Sequence, residues 1–176
     1  MEDKIDMRNL LIAAATLALS AAVSFEASAG VTTGTKGLGF VTDDAPIGGR
    51  YVVSPKMAVD LGIGFAKQSD DDDTTGDEGA TTFNLNVGLP ILMHDAGKAM
   101  LWLRPGIGLS NTSYDADGVD SDTNTNISGL LVVEVPVTDN FTVSAAHGLI
   151  IDLDPTNIST AGLGWTGVGF MYYFVK

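Results

Sequence analysis

The stretch that decides the fold lies at the C-terminal end, where residues 167–176 read GVGFMYYFVK. Side chains of an extended strand alternate between its two sides. One side of this segment would therefore carry the large residues Val168, Phe170, Tyr172 and Phe174, and the other would begin with two glycines. A strand with one large apolar face and one smaller face suits a wall between lipid and a narrow interior.

The same alternation recurs along the middle of the chain, in residues 57–68, 82–91, 101–110, 127–135 and 141–153. In the first of these segments the odd positions are Met57, Val59, Leu61, Ile63 and Phe65. The opposite face holds Gly, Ala, Asn and Ser with a few charged residues, whereas a solvated face would carry Lys and Glu. Small and polar residues are typical of the inside of a narrow barrel.

The connections between these segments are of two kinds. Residues 54–56, 94–98 and 138–140 are short turns rich in Pro, Gly, Asn and Asp, and residues 68–80, 114–126 and 154–160 are longer polar links. Short and long connections alternate, as short periplasmic turns and longer outer loops do in outer-membrane barrels. Eight strands are predicted, at residues 34–42, 47–54, 57–68, 80–92, 99–114, 125–137, 140–153 and 160–175, and residues 47–53 leave open which side chains face lipid.

The terminal strand, with Gly169, Tyr172 and Phe174 spaced as Gly-x-x-aromatic-x-aromatic, resembles the assembly-signal strand of small bacterial outer-membrane barrels of the OmpX/OmpA-like or opacity type. The resemblance implies an all-β fold, an eight-stranded antiparallel up-and-down transmembrane β-barrel, and recognition by the barrel-assembly machinery. Strands of this family commonly end on the aromatic residue, whereas Val175 and Lys176 follow Phe174 here.

The N-terminal segment predicts export. Residues 10–25 are an apolar run, and Ala27 and Ala29 have the spacing that signal peptidase recognises, so cleavage is expected before Gly30. Acidic residues outweigh basic ones in residues 1–6, whereas a start at Met7 would give an ordinary basic signal. The expected organisation is a signal peptide over residues 1–29 and a barrel over residues 30–176, with a retained anchor helix as the alternative.

Composition limits the possible partners. The chain of 176 residues has no cysteine, 22 acidic and nine basic residues. Loss of residues 1–29 would remove four acidic and two basic residues, which leaves 18 and seven and a net charge of −11. Such a balance argues against a nucleic-acid partner. Outer-membrane lipid and lipopolysaccharide are the expected surroundings, no cofactor is expected, and the surface ligand is left open.

Three charged residues, Asp60, Arg104 and Glu134, fall on the predicted inward face, each near a short turn. A charge buried in a narrow interior is costly unless it is paired. We therefore expect an internal ion pair between Arg104 and Glu134, with Asp60 nearby, as a polar plug that fixes strand register; a gate or a proton path is the functional alternative. A barrel of eight strands is too narrow for a diffusion pore.

The long links are acidic. One carries four consecutive aspartates at residues 70–73 followed by Asp77 and Glu78, and another carries Asp115, Asp117, Asp120 and Asp122 around Gly118. Alternating aspartates can converge on a hard cation such as calcium. The twelfth-position Glu of the helix–loop–helix calcium motif is missing, so solvated loops are the favoured interpretation and calcium the alternative.

Two other classes of function stay open. Some outer-membrane barrels of this size modify lipid A with a serine activated by a histidine. The chain has two histidines: His94 falls in a predicted turn, and alternation directs His147 toward lipid. A soluble periplasmic ligand-binding barrel of lipocalin type is the second alternative. The favoured function is a non-enzymatic outer-membrane barrel with a structural, adhesive or surface-binding role.

Overall fold

A computed structural model describes residues 32–42, 44–68, 79–114, 120–153, 156–161 and 167–174. The predicted signal peptide with its cleavage site and the alternative start at Met7 lie outside the described residues. So do the acidic residues 70–78, Asp115, Asp117 and the two residues that follow Phe174.

The described elements are all strands: β1 (Lys36–Phe40), β2 (Ile47–Ser54), β3 (Met57–Gln68), β4 (Ala80–Gly88), β5 (Ile91–Asp95), β6 (Met100–Tyr114), β7 (Asp122–Thr138), β8 (Phe141–Leu153), β9 (Thr156–Ala161) and β10 (Gly167–Phe174). No helix among the described residues is long and apolar enough to cross a bilayer.

The strands form one closed antiparallel sheet. Consecutive strands pair from β1 to β4, then β4 with β6, β6 with β7 and β7 with β8, and β10 joins β8 to β1. β4 and β5 both pair with β3 and β6, so these two strands together form one position in the barrel wall. β9 and β10 both pair with β8 and likewise share one position. Eight positions close the ring, and the predicted eight-stranded up-and-down barrel is confirmed.

Two parts of the strand pattern differ from the sequence-based expectation, and strand ends elsewhere shift by one to three residues. The fourth position in the wall is broken at Leu89 and Pro90, because proline has no N–H to give to the ladder; Ala58 N–H donates to Pro90 O at 2.9 Å there. The prediction of a long link at residues 154–160 was wrong. The β8–β9 ladder continues to Leu153 opposite Thr156, so only residues 154 and 155 connect the two strands.

A soluble barrel places apolar side chains inside and polar ones outside, and this barrel has the reverse arrangement. Large apolar residues point out from every position of the barrel, including Leu38, Ile47, Leu61, Phe83, Ile107, Leu131, Leu149 and Phe170, each at least 40% exposed. The charged residues Arg50, Asp60, Arg104 and Glu134 are buried inside. The outward apolar positions of β7 run from residue 127 to 137, and eleven residues of a tilted strand span roughly the 25 Å of a bilayer's apolar band.

The sequence left open which side chains of β2 face lipid, and the pairing of β2 with β3 decides it. Ile47 and Tyr51 point outward, whereas Arg50 and Val52 point into the lumen. The register shifts by one residue between Val52 and Ser54 at the turn into β3.

The connection from β1 to β2 lies partly inside the lumen. Ala45 is completely buried, and Cβ atoms added at Gly62 and Gly64 of β3 would meet the backbone of Ala45 and Asp44. The small inward residues of β3 therefore make room for this connection, which narrows the end of the lumen opposite the short turns.

Gly39 lies at the seam between β1 and β10, opposite Met171. A Cβ atom at this position would overlap the backbone carbonyl of Phe170. We expect Gly39→Val to destabilise the barrel by about 1–3 kcal/mol, because the two backbones must separate to accommodate the side chain. The measurement is the denaturation midpoint of refolded protein in detergent micelles. Gly129→Val is the matched control, since a Cβ atom there meets nothing within 4 Å; equal midpoints for the two variants would contradict this role of Gly39.

Candidate functional site in the barrel lumen

Four charged side chains meet inside the barrel, and we call Arg50, Asp60, Arg104 and Glu134 the lumen charge cluster. They come from β2, β3, β6 and β7. Their exposed fractions are 8%, 1%, 2% and 1% respectively. Charges this deeply buried must be matched and hydrogen-bonded, because the desolvation of each ion costs several kcal/mol.

Arg50 is the centre of the cluster. Its Nε donates to Asp60 Oδ1 at 2.7 Å and its Nη2 donates to Asp60 Oδ2 at 3.0 Å. Its Nη1 donates to Glu134 Oε2 at 2.7 Å. One planar guanidinium therefore binds a carboxylate from the neighbouring strand in two-point geometry and a second carboxylate across the lumen, a combination that lysine could not provide.

Two hydroxyl groups complete the surroundings of Glu134. Thr142 Oγ1 donates to Glu134 Oε1 at 2.6 Å, and the hydroxyl of Tyr173 donates to the same oxygen at 2.8 Å. Nη1 of Arg50 also donates to the Tyr173 hydroxyl at 3.1 Å. Arg50 lies on β2, and Tyr173 lies on β10, which closes the ring against β1. The network therefore spans the closure of the barrel.

Arg104 is held from the side that faces β3 and β4. Its Nε donates to Asp60 Oδ2 at 3.0 Å and its Nη2 donates to Asn86 Oδ1 at 2.6 Å. A Cβ atom on Gly88 would overlap the guanidinium, so the side chain lies across β4 only because this residue is glycine. Nη1 of Arg104 is buried and has no hydrogen-bond partner among the described residues.

The structure places Asp60, Arg104 and Glu134 inside the lumen as expected, but it corrects their pairing. In the described part of the chain Arg104 pairs with Asp60, and Glu134 pairs with Arg50. The register explains the difference: Arg104 lies opposite Leu130, and Glu134 lies opposite Met100, four residues along β6. Four residues of strand are about 13 Å, too far for a direct ion pair.

Arg50 is the functional residue that sequence reasoning missed, although a signal was present. The short turn at Pro55 and Lys56 implies that β2 and β3 form a hairpin, and the observed register places Arg50 opposite Asp60. Folding the sequence about that turn brings the two charges together to within one residue. Only the one-residue bulge in β2 would still be unknown.

The aromatic and apolar side chains inside the barrel fill its short-turn end. Trp102 is 1% exposed and packs with Leu92, Met100, Leu130 and Val132. The guanidinium carbon of Arg50 lies 5.4 Å from the centre of the Trp102 ring. Such a stack stabilises a cation in a dry site, and this apolar cluster adjoins the lumen charge cluster.

The other half of the lumen is a polar cavity of about 490 Å³. Its wall includes all four members of the lumen charge cluster and a set of neutral polar side chains: Thr82, Asn84, Asn86, Ser110, Thr112, Asn124, Asn126, Ser128 and Ser144. Asp122 and Asp152 lie toward its outer end, and Val41 and Ala45 of the inserted connection form one side.

The other predicted site residues lie apart from this cavity or only at its edge. Asp120 and Asp122 are exposed at the start of β7, and the described residues contain no group of three His, Cys, Asp or Glu side chains that could hold a metal ion. Gly169 lies on the inward face of β10, while Tyr172 and Phe174 point outward with their rings edge-on, 5.5 Å between centres. Their part in assembly stays a prediction.

Comparison with solved structures finds a likeness to a bacterial surface protein. The crystal structure of Ail, the attachment invasion locus protein of Yersinia pestis, matches with a TM-score of 0.47 and 15% identity over 80% of this chain and 93% of that chain. A likeness at this level carries no information on ligand or partner. No protein-family model and no curated protein matches the chain.

Removal of Arg50 should be the most damaging single change in the lumen. Arg50→Gln leaves Glu134 without a cation and Asp60 with only Arg104, so we expect a loss of about 3–5 kcal/mol in the free energy of unfolding. Denaturant titration of the refolded protein measures it. Lys67→Gln, at an exposed position of β3, should change the same quantity by less than about 0.5 kcal/mol. A small effect of Arg50→Gln would show that the cluster does not hold the fold together.

Proposed function

We propose that this chain is a non-enzymatic integral outer-membrane β-barrel protein with a structural, adhesive or surface-binding role. The observation that carries the proposal is the inversion of the wall, with large apolar side chains outside and charges inside. A barrel with this surface is stable only where lipid covers the apolar band, because closure satisfies the backbone hydrogen bonds and leaves no open edge.

Export and surroundings form part of the same proposal. The predicted signal peptide would deliver the chain to the periplasm, and the terminal strand, with Gly169, Tyr172 and Phe174, would be read by the barrel-assembly machinery. Lipid and lipopolysaccharide would cover the apolar band. The acidic links at residues 70–78 and 115–122 would face the outside and supply the surface available to a partner.

The filled interior of the barrel supports a role other than diffusion of solutes across the membrane. The lumen charge cluster and the packed side chains around Trp102 occupy the short-turn half of the interior. A barrel of eight strands has little more room than its own side chains need. We therefore propose that no open pore connects the two sides of the membrane.

The inversion of the wall also weighs against the lipocalin-like alternative. A soluble barrel that binds apolar ligands keeps its apolar residues inside and presents polar residues to water. Here Leu61 and Ile107 are more than half exposed, whereas Asp60 and Arg104 are buried. The arrangement is the opposite of the one that a soluble carrier requires.

Extraction and gel mobility test the location in the membrane. The proposal expects the protein to stay in isolated membranes through a carbonate wash, and to migrate faster in a detergent gel before boiling than after it, because the closed strand ladder survives detergent. Release by the wash without a mobility shift would contradict the proposal and favour a soluble barrel.

A charge placed in the apolar band gives a second readout of the same property. Leu131→Arg should destabilise the protein in lipid vesicles by about 2–4 kcal/mol, since Leu131 lies near the middle of the outward apolar run of β7. Thr123→Arg, beyond that run, should cost no more than about 1 kcal/mol. Equal costs for the two variants would show that lipid does not cover the band.

The enzymatic alternative depends on His147. Its side chain points outward, opposite Leu131, and its outward neighbours along β8 are Ala145 and Leu149, none of which has a hydroxyl to activate. We expect His147→Ala to leave the lipid A acyl pattern of the producing cell unchanged, as measured by mass spectrometry of extracted lipid A. A changed acyl pattern in the variant, restored by the wild-type chain, would replace the structural proposal with catalysis.

A further inference from the structure

One lysine points outward from the barrel wall at its short-turn end. Lys36 is exposed at the start of β1, on the same face as Leu38 and Phe40. Among the described residues its ammonium has no ion pair and no hydrogen bond. A charge on the lipid-facing side is costly at the middle of a bilayer and is tolerated near the interface, where a long side chain can reach the headgroups.

Lys36 lies at the short-turn edge of the apolar band. β1 begins at this residue, and β10 ends at Phe174, which is its partner across the seam. The other outward lysine, Lys67, follows Phe65 near the outer end of β3. Large apolar side chains fill the outward positions between these two levels. The ammonium of Lys36 therefore lies at the depth of the headgroups rather than of the acyl chains.

Aromatic side chains surround this lysine on both sides. Lys36 lies opposite Tyr51 in the β1–β2 ladder and opposite Phe174 in the β1–β10 ladder, and Tyr172 is its diagonal neighbour on β10. All three aromatic side chains are exposed on the outer face. Residues directly opposite in a ladder have Cβ atoms about 5 Å apart, and diagonal neighbours are about 7–8 Å apart. We call Lys36, Tyr51, Tyr172 and Phe174 the seam patch.

The seam patch offers hydrogen-bond donors that the described protein does not use. The hydroxyl of Tyr173 binds Glu134 inside the lumen, whereas the outward hydroxyls of Tyr51 and Tyr172 have no partner among the described residues. Tyrosine at a membrane interface keeps its ring in the apolar region and its hydroxyl among the polar headgroups. An ammonium and two hydroxyls above apolar rings suit an oxyanion that carries acyl chains.

The surrounding charges favour an anionic headgroup. The seam patch contains no carboxylate, and Lys56 in the turn after β2 places a second ammonium at the same end of the barrel. On the opposite side of the patch, Asp139 lies in the turn before β8, with β10 in between. The ammonium of a zwitterionic headgroup would therefore find no carboxylate within the patch. A lipid with net negative charge matches it better.

From these observations we propose that the seam patch binds the phosphate of one anionic phospholipid, with the Lys36 ammonium and the Tyr51 hydroxyl donating to its oxygens. In the proposed orientation the short turns face the periplasm, so this lipid belongs to the periplasmic leaflet. The assignment rests on the proposed membrane location and adds to it the lipid class and the residues that bind it. One bound lipid would then contact β1, β2 and β10 across the seam.

Native mass spectrometry of the protein purified from membranes in detergent micelles tests the site. The probe is phosphatidylglycerol, compared with phosphatidylethanolamine and diacylglycerol of the same acyl chains. We expect one phosphatidylglycerol to bind about fivefold more tightly than phosphatidylethanolamine, and diacylglycerol to bind more weakly than both. Equal dissociation constants for the three lipids would overturn the headgroup site. Tighter binding of phosphatidylethanolamine, or of lipid A added as a competitor, would overturn the assignment to an anionic phospholipid.

Three variants locate the binding in the seam patch. Lys36→Gln should weaken binding of phosphatidylglycerol about fivefold and remove the preference over phosphatidylethanolamine. Lys36→Arg keeps the charge and should bind as the wild type does. Tyr51→Phe keeps the ring and removes only the hydroxyl, so it should weaken binding about threefold. Tyr172 is left unchanged because it belongs to the predicted assembly signal.

Lys98→Gln is the matched control, because Lys98 is an exposed lysine at the same end of the barrel, in the turn between β5 and β6. Its binding of phosphatidylglycerol should equal that of the wild type. Every protein is first checked for the gel mobility shift and for retention in membranes through the carbonate wash. A wild type that fails both checks overturns the proposed function and the site together. If the wild type passes and folded Lys36→Gln and Tyr51→Phe bind the lipid unchanged, only the site is wrong.

Discussion

The two-point bond between Arg50 and Asp60 is the interaction on which the interior of this barrel depends. A narrow lumen cannot hydrate ions fully, so every charge inside needs a partner at hydrogen-bond distance. Arg50 provides one for Asp60 and one for Glu134, and Asp60 in turn anchors Arg104. Through Thr142 and Tyr173 the same network reaches the strands that close the ring. Strand register and the ionic interior therefore support each other.

The division of side chains between the two sides of the wall follows from the same constraint. The interior is lined by apolar packing around Trp102, by the lumen charge cluster, and by amides and hydroxyls along the polar cavity. Because these side chains take the inward positions of each strand, the alternating apolar residues point outward, where lipid would stabilise them. Small inward residues such as Gly62 and Gly88 then make space for the inserted connection and for the Arg104 side chain.

The two ends of the lumen are suited to different tasks. Toward the short turns, the side-chain nitrogens and oxygens of Arg50, Asp60 and Glu134 all have protein partners, as in a structural plug. Toward the outer links, Arg104 Nη1 and Ser128 Oγ are buried without one. Arg104 thus belongs to the plug through Asp60 and also lines the polar cavity.

By itself the sequence determined the class of fold. Alternation with period two, the spacing of short turns and the small inward residues predicted eight strands and placed Asp60, Arg104 and Glu134 inside, because these signals are local to each strand. The partners of those charges were decided only by tertiary structure. A bulge in β2, a break at Pro90 and the stagger of strands around the ring set which residues meet across the lumen, and a shift of one or two residues changes the partner. For the same reason the bond from Arg50 across the lumen to Glu134 became visible only in the closed barrel.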